Sequence, residues 1–444
     1  MSELLLFDPE ELKTLTENVL HYAKQLGATA SEASISAHSG FSIMVRKQAV
    51  EELIYHRNQG MGITVYNGQK KGTASCSDLT PEALKASVQA AWDIANQTSA
   101  DPYAGLADPH LLATDFPDLH DYYPWDVSSE QGITVAKNCE QAALANTAIT
   151  NSEGAQLSTQ VNCTTYANSN QFCQAQQTSC HSLSCTVVAE KAGAMQRDYS
   201  YTVAVDPSLL DSPEAIGKDA ALRTVRRLGA RPLKTQSAAV IFAPEMAGSL
   251  LAHFISAISG AALYRRASFL LDHIGKPIFP EFITLSERPY LPGALASASF
   301  DTEGVATREQ DFIHEGILQR YVLNSYAARR LGLETTANAG GVHNLIMNSS
   351  PYDLTDLLQQ MGSGFFVTEL LGQGANLITG DYSRGASGFW VEEGQLLHPV
   401  EGVTLSGNLK DIYQKIVAVG KDVDIRANIR SGSLWIESMM IGGT

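Results

Sequence analysis

The sequence predicts an α+β protein of two domains, an N-terminal α/β domain over residues 1–229 and a sheet-rich C-terminal domain over residues 230–444. Three observations carry this expectation. The first half alternates helix-spaced apolar positions with runs of β-branched and small residues. The second half crowds its glycines between strand-like runs, as sheets do at turns and close approaches. Between them, Gly229-Ala230-Arg231-Pro232 places two chain-breaking residues where the texture changes.

In chain order, Asp8-Pro9 opens a helix as cap and first-turn proline. Leu12, Leu15, Val19 and Leu26 then recur at near-helical spacing, and Gly27 stands where a C-terminal cap belongs. Ala33 to Val45 and Gly62 to Tyr66 read as strands, with Asn67-Gly68 as a hairpin turn. A helix begins at Thr80-Pro81-Glu82 and runs to about Ala95. Residues 98–128 read as an ordered loop or crossover, because Leu111, Leu112, Phe116, Tyr122 and Trp125 need cover. A helix is expected over 129–146. Short strands with polar turns such as Asn168-Ser169-Asn170 follow from Thr150 to Val205. The helix after Ser212-Pro213-Glu214 carries Arg223, Arg226 and Arg227.

In the second half, Ala238 to Ala243 is a buried-strand pattern, and Pro244 starts a helix running to about Ala262. Glu315-Gly316 and Glu393-Gly394 read as hairpin turns between short strands. Short helices are expected at Ser325–Leu331, Tyr352–Met361 and Gly407–Ile416. Glycines cluster at Gly340-Gly341, Gly372-Gln373-Gly374 and from Gly380 to Gly388.

Composition narrows the function. With 31 basic against 47 acidic residues the net charge is -16, which argues against a nucleic-acid partner. The first residues lack a basic segment and an apolar core, and no apolar run reaches 18 residues, so neither a signal peptide nor a membrane span is expected. Six cysteines without a tight pattern fit a reducing cytoplasm.

No self-sufficient catalytic set is visible. A zinc-peptidase helix needs two imidazoles on one face with a glutamate beside the first. The one His-Glu pair, His314-Glu315, is followed by Leu318 and Gln319 and reads as a turn. Cys173, Cys180-His181 and Cys185 match no common zinc spacing, and small buried side chains are the plainer reading. Gly385-Ala386-Ser387-Gly388 falls short of a nucleophile elbow. Asp381, Ser383, Arg384 and Ser387 make a polar group among glycines, which serves either turn capping or contact with a peptide.

Several segments are nevertheless distinctive: Gly62-Ile63-Thr64-Val65-Tyr66 with Lys71-Gly72-Thr73-Ala74-Ser75, Ala339-Gly340-Gly341-Val342-His343-Asn344, and Val367–Gly374 leading into Thr379-Gly380-Asp381-Tyr382-Ser383-Arg384-Gly385-Ala386-Ser387-Gly388-Phe389-Trp390-Val391-Glu392, then Ser406–Asp411. Together they resemble the TldD/PmbA family, and within it the PmbA, or TldE, branch. The resemblance spans nearly the whole chain and implies the family's two-domain fold. It also implies a cytoplasmic metalloprotease that works as a heterodimer of a TldD chain and a TldE chain on unfolded or small peptides, including peptide-antibiotic precursors and antitoxins. Members of this branch are also described as DNA gyrase modulators.

In TldD-type chains the resemblance implies a His-Glu-x-x-x-His helix and a further cysteine ligand. Aligned here, the two histidine positions fall on Ala252 and Ala257, the glutamate position on His253, and the cysteine position on Ser431. No cofactor is therefore expected in this chain, and zinc is expected in the TldD-type partner. His343, Asp381, Ser383, Arg384 and His253 are the candidates for contact with peptide or partner. Whether the isolated chain forms a homodimer is left open. The other readings are a stand-alone metallopeptidase built on His181, Cys180 and Cys185, and a non-proteolytic regulatory protein.

Overall fold

The computed structural model describes residues 7–443, and the fold is α+β. Its first half is one antiparallel sheet with helices packed on it. The helix α1 (Pro9–Gln25) is capped by the Asp8 carboxylate, which accepts from the Glu10 N–H. Then come β1 (Ala30–Arg46), β2 (Ala49–Asn67), β3 (Lys70–Cys76), α2 (Pro81–Gln97), α3 (Ser129–Leu144), β4 (Ile149–Asn168), β5 (Phe172–Lys191), β6 (Ala194–Ala204) and α4 (Pro213–Val225). The sheet order is β3-β2-β1-β4-β5-β6.

The strands alternate buried and open residues, so one face packs against helices. Ile35, Ile63 and Val65 bury under α1 and α2, and Phe41, Ile43, Leu157 and Val187 bury under α3 and α4. Helices α3 and α4 cross closely at Gly217, where a methyl group would sit 2.1 Å from the Cys139 carbonyl oxygen. Residues 150–205 form two strands of 20 residues and one of 11, not the short strands expected. Polar Thr and Ser at alternate positions mask the length, because half of each strand's side chains face away from the core. Phe116 is 40% exposed, not covered as expected, although its ring leans on Phe172 and Phe300.

The β1–β2 hairpin turns on Lys47 and Gln48, both left-handed at φ 52° and 63°. Neither is a residue that favours this region. The buried Glu140 carboxylate of α3 holds them, accepting from the Lys47 and Gln48 N–H groups at 2.7 Å each.

The second half begins with β7 (Gln236–Phe242), α5 (Pro244–Ala257) and α6 (Gly260–Tyr264). It continues with β8 (Leu285–Glu287), β9 (Gln310–His314), β10 (Ile317–Leu318), α7 (Ser325–Leu331), β11 (Leu345–Met347), α8 (Leu354–Met361), β12 (Gly364–Leu371), β13 (Asp381–Glu392) and β14 (Gln395–Asn408). It ends with α9 (Leu409–Gln414), β15 (Ile416–Val419), β16 (Ile429–Arg430) and β17 (Leu434–Gly442). One sheet runs β14-β13-β12-β7-β17-β15, and β14 also pairs with β17, so five of these strands close on themselves around the core. A smaller sheet, β10-β9-β8-β11-β16, lies beside it. The Glu315-Gly316 and Glu393-Gly394 turns stand as expected, all four residues at positive φ.

One expectation fails here. The helix from Pro244 does not reach Ala262. It breaks at Ile258-Ser259, where Val322 exchanges backbone hydrogen bonds with Ile258 and Gly260, and Ser259 caps α6. From Asp381 on, the glycine-rich Gly380–Gly388 segment is an interior strand between β12 and β14. Its glycines serve close packing: a methyl group at Gly388 would lie 1.9 Å from the Phe366 carbonyl oxygen.

Candidate functional site

Helix α5 follows β7 directly, started by Pro244 at its first turn. Ala247, Leu250, Leu251, Phe254 and Ala257 form its buried face. Ala252 and His253 lie on its flank, half-buried. Ala257, one of the two positions aligned with a metal-binding histidine, is sealed in the core.

Glu245, in the first turn, anchors the helix to the first half of the chain. Its carboxylate takes Arg426 at 3.0 Å and Arg223 of α4 at 3.2 Å. Arg223 and Arg227 reach Asp198 of β6 at 3.9 and 3.4 Å, and Arg227 pairs with Glu369. Arg426 also donates to the Tyr201 carbonyl and stacks on that ring at 4.2 Å. Burial alone would raise the Glu245 carboxyl, but Arg223, a backbone N–H and Arg426 hold it below its ordinary value.

Strand alternation splits the polar group seen in the sequence. Asp381 and Ser383 face outward, while Tyr382 and Arg384 face α5. Asp381 caps its turn, accepting from Thr379 Oγ1 at 2.6 Å, and the Ser383 N–H donates to the Gly374 carbonyl at 2.7 Å. Arg384 donates to Ser249 of α5 at 3.4 Å. The His253 ring meets the Tyr382 ring edge-on at 6.0 Å. His253 Nε2, the Tyr382 hydroxyl and Arg384 Nε are all buried without a well-formed hydrogen bond. Burial, and then the Arg384 charge, push the His253 imidazole below its ordinary value. Burial raises Tyr382 to about 12, against the opposing pull of Arg384.

This corner does not fit a metal ion. Ala252 and Ala257 end in methyl groups, and the imidazole sits beside a guanidinium that repels cations. Ser431 is buried, with its hydroxyl donating to the Gly432 carbonyl at 3.0 Å. Among the described residues, no three His, Cys, Asp or Glu side chains gather in a cluster that could hold a metal. The alternative set built on His181 does not assemble. His181 is buried with both nitrogens engaged, Nδ1 with Thr159 at 2.7 Å and Nε2 with the Tyr123 carbonyl at 2.9 Å. Cys180 faces the other side of β5 from His181 and Cys185.

His343 lies in a different place from His253. Its N–H donates to Glu287 Oε1 at 2.6 Å, and its ring Nδ1 lies 3.3 Å from the same oxygen. Glu287 is buried and also accepts from Gln310 at 2.6 Å and Asn338 at 2.8 Å, so one carboxylate sets the loop that carries His343. His343 borders a cavity of about 270 Å³ shared with Thr164, Tyr166 and Gln176 of the first sheet. Asp301 lines it too, its carboxyl raised by burial to about 6 against three backbone N–H groups that lower it.

A cleft of about 900 Å³ opens along the exposed end of α5. Ile255, Ser256, Tyr264, Arg265, Asn324, Tyr326 and Asn338 line it, together with the Ala375–Ile378 loop. Sequence reading missed Glu245, Glu287 and this cleft. An isolated glutamate beside a strand or helix start carries no spacing signal, and the cleft's walls come from segments over a hundred residues apart.

Three family models match in succession. PmbA/TldA metallopeptidase domain 1 covers residues 31–95, the central domain covers 122–228, and the C-terminal domain covers 235–443. The chain belongs to the PmbA/TldD family. The first two matches share the single six-stranded sheet of the first half. The chain is 44% identical to the metalloprotease PmbA of Escherichia coli O157:H7, over 98% of this chain and 97% of that protein. It is 42% identical to a PmbA homologue of Haemophilus influenzae, over 99% and 98%. The fold matches a Bacteroides thetaiotaomicron protein described as a candidate modulator of DNA gyrase, with a TM-score of 0.93 and 26% identity over 98% and 99% of the two chains. It also matches TldE of Thermococcus kodakarensis, with a TM-score of 0.85 and 20% identity over 97% and 100%. No described helix is long and apolar enough to cross a membrane.

Proposed function

We propose that this PmbA/TldD-family chain is the TldE-type subunit of a two-chain metalloprotease, with metal and water activation supplied by a TldD-type partner. It acts in the cytoplasm on unfolded and small peptides, peptide-antibiotic precursors and antitoxins among them. One observation carries the reading. Where a metal would need anionic or imidazole ligands, α5 offers Ala252 and Ala257, with His253 set against Arg384. This chain's part is to bind and shape substrate. The cleft beside α5 gives Tyr264 and Tyr326 as apolar walls and the exposed Arg265 as a polar group toward a peptide. Outside this cleft, His343, Asp381, Ser383, Arg384 and His253 are the groups proposed to contact peptide or partner.

The test is metal analysis of the purified chain, and peptide cleavage before and after mixing with a TldD-type chain. Cleavage is expected only in the mixture and is stopped by a chelator. Stoichiometric zinc in the isolated chain, with chelator-sensitive cleavage by it alone, would sink the proposal. Alanine at His343, Asp381 or Arg384 lowers cleavage in the mixture, and full activity in all three variants removes their contact role. The Bacteroides relative's description favours a second reading, a regulatory binding protein, which predicts no cleavage in the mixture.

A further inference from the structure

The cleft along the end of α5 differs in charge from the rest of the chain. Of the described residues that line it, only Arg265 is charged, and none is an aspartate or a glutamate. The whole chain, in contrast, has 47 acidic residues against 31 basic ones. The cleft volume, about 900 Å³, falls within the range of about 300–1,000 Å³ typical of small-ligand sites. A short run of peptide fits that space.

Much of the lining is apolar. Ile255 of α5, Tyr264 of α6 and Leu377 are half-buried there, and Ile378 is 64% exposed. Hydrogen bonds fix the loop that carries the last two. The Phe269 N–H donates to the Leu377 carbonyl at 2.8 Å, and the Ile378 N–H donates to Asn376 Oδ1 at 2.9 Å. An apolar side chain of a bound peptide therefore meets a surface that is already formed.

Arg265 follows α6 as its C-cap and is exposed. Its Nε donates to the Ala261 carbonyl at 2.8 Å, and its guanidinium lies 5.7 Å from the centre of the Tyr264 ring. These contacts hold the side chain against the cleft wall. Its two terminal nitrogens have no hydrogen bond or ion pair to a described residue. A guanidinium held this way offers a planar pair of donors that matches a carboxylate. Arg330 adds a second positive group against the same ring, 4.9 Å from its centre.

Beyond Tyr326 the sign changes. Glu32, Asp101 and Glu303 stand against Lys71 in a separate cavity of about 560 Å³, which shares only Asn324 and Tyr326 with the cleft. Arg330 marks the boundary, because it also lies 5.2 Å from the ring of Tyr103, in the segment bordering that acidic cavity. The positive character is therefore local to the Arg265 side.

We infer that the cleft selects peptide segments in which an apolar side chain lies close to an aspartate or glutamate, and that Arg265 reads the acidic side chain. This rests on the reading of the cleft as a peptide site. A lysine or arginine in the same place is rejected by the charges of Arg265 and Arg330.

Fluorescence anisotropy of the full chain with short labelled peptides tests it. The peptides are blocked at both ends and carry one leucine near a glutamate, a glutamine or a lysine. The glutamate peptide is expected to bind about five- to thirtyfold tighter than the lysine peptide, with glutamine between them. Raising salt to about 0.5 M should narrow that gap. Arg265→Glu should reverse the order, and Arg265→Lys, which keeps the charge, should preserve it. The side chain is exposed, and thermal melting confirms that both variants fold. Binding is read without metal or partner, so loss of the preference here and absence of cleavage in the mixture are separate results. The inference is overturned by no binding up to about 1 mM or by equal affinity for the three peptides. It is also overturned by an order that Arg265→Glu leaves unchanged or that Arg265→Lys reverses. A glutamine peptide with a free C-terminal carboxylate that binds as tightly as the blocked glutamate peptide overturns it as well.

Discussion

Replacing Glu245 by glutamine keeps the shape of the first turn of α5 and removes one charge. The carboxylate lies between Arg426 at 3.0 Å and Arg223 at 3.2 Å and is 21% exposed. Breaking a buried ion pair by deleting one partner costs about 3–5 kcal/mol. Partial exposure screens the loss, so about 2–4 kcal/mol is expected here. Hydrogen exchange of the α5 amides at pH 7 should then accelerate by roughly thirtyfold to a thousandfold. The effect depends on pH with a definite sign. Because the folded carboxyl is held below its ordinary value of 4.5, its contribution is fully present above that value and is lost as pH falls through the lower folded value. The native chain and the variant should converge as pH drops from 7 toward 3. A change of less than about threefold at pH 7, or a difference that persists undiminished at pH 3, would refute the reasoning.

Glu140→Ala removes the charged acceptor of the Lys47 and Gln48 N–H groups at the β1–β2 turn. It should cost about 2–4 kcal/mol, read as a lower urea midpoint. Gly217→Ala places a methyl group 2.1 Å from the Cys139 carbonyl oxygen and forces α3 and α4 apart. Despite alanine's better helix propensity it should destabilise by about 1–3 kcal/mol, and a raised melting temperature would contradict that.

Local rules were legible wherever one residue type decides the backbone. Asp8-Pro9, Ser212-Pro213 and the two Glu-Gly turns stand where the sequence places them. The Lys47-Gln48 turn was not legible, because its cause is Glu140, more than ninety residues away. The break after Ala257 was equally hidden, since it depends on Val322 pairing with Ile258 and Gly260. The site divides the same way. That Ala252 and Ala257 cannot bind metal follows from their side chains alone. That Arg384 joins His253 while Asp381 and Ser383 turn away follows from the alternation of β13, which its glycines concealed. Glu287, which sets the His343 loop, gave no signal in the sequence.

Strand β7 has β12 and β17 as its neighbours, and these are made more than a hundred and nearly two hundred residues later. Val240, Ile241 and Phe242 thus leave the ribosome as bare, sticky chain long before either flank exists. The first sheet needs nothing downstream of α4 for its own strands to pair. Biogenesis should therefore be staggered, with an early half already compact while the later half depends on chaperones to keep β7 from mispairing.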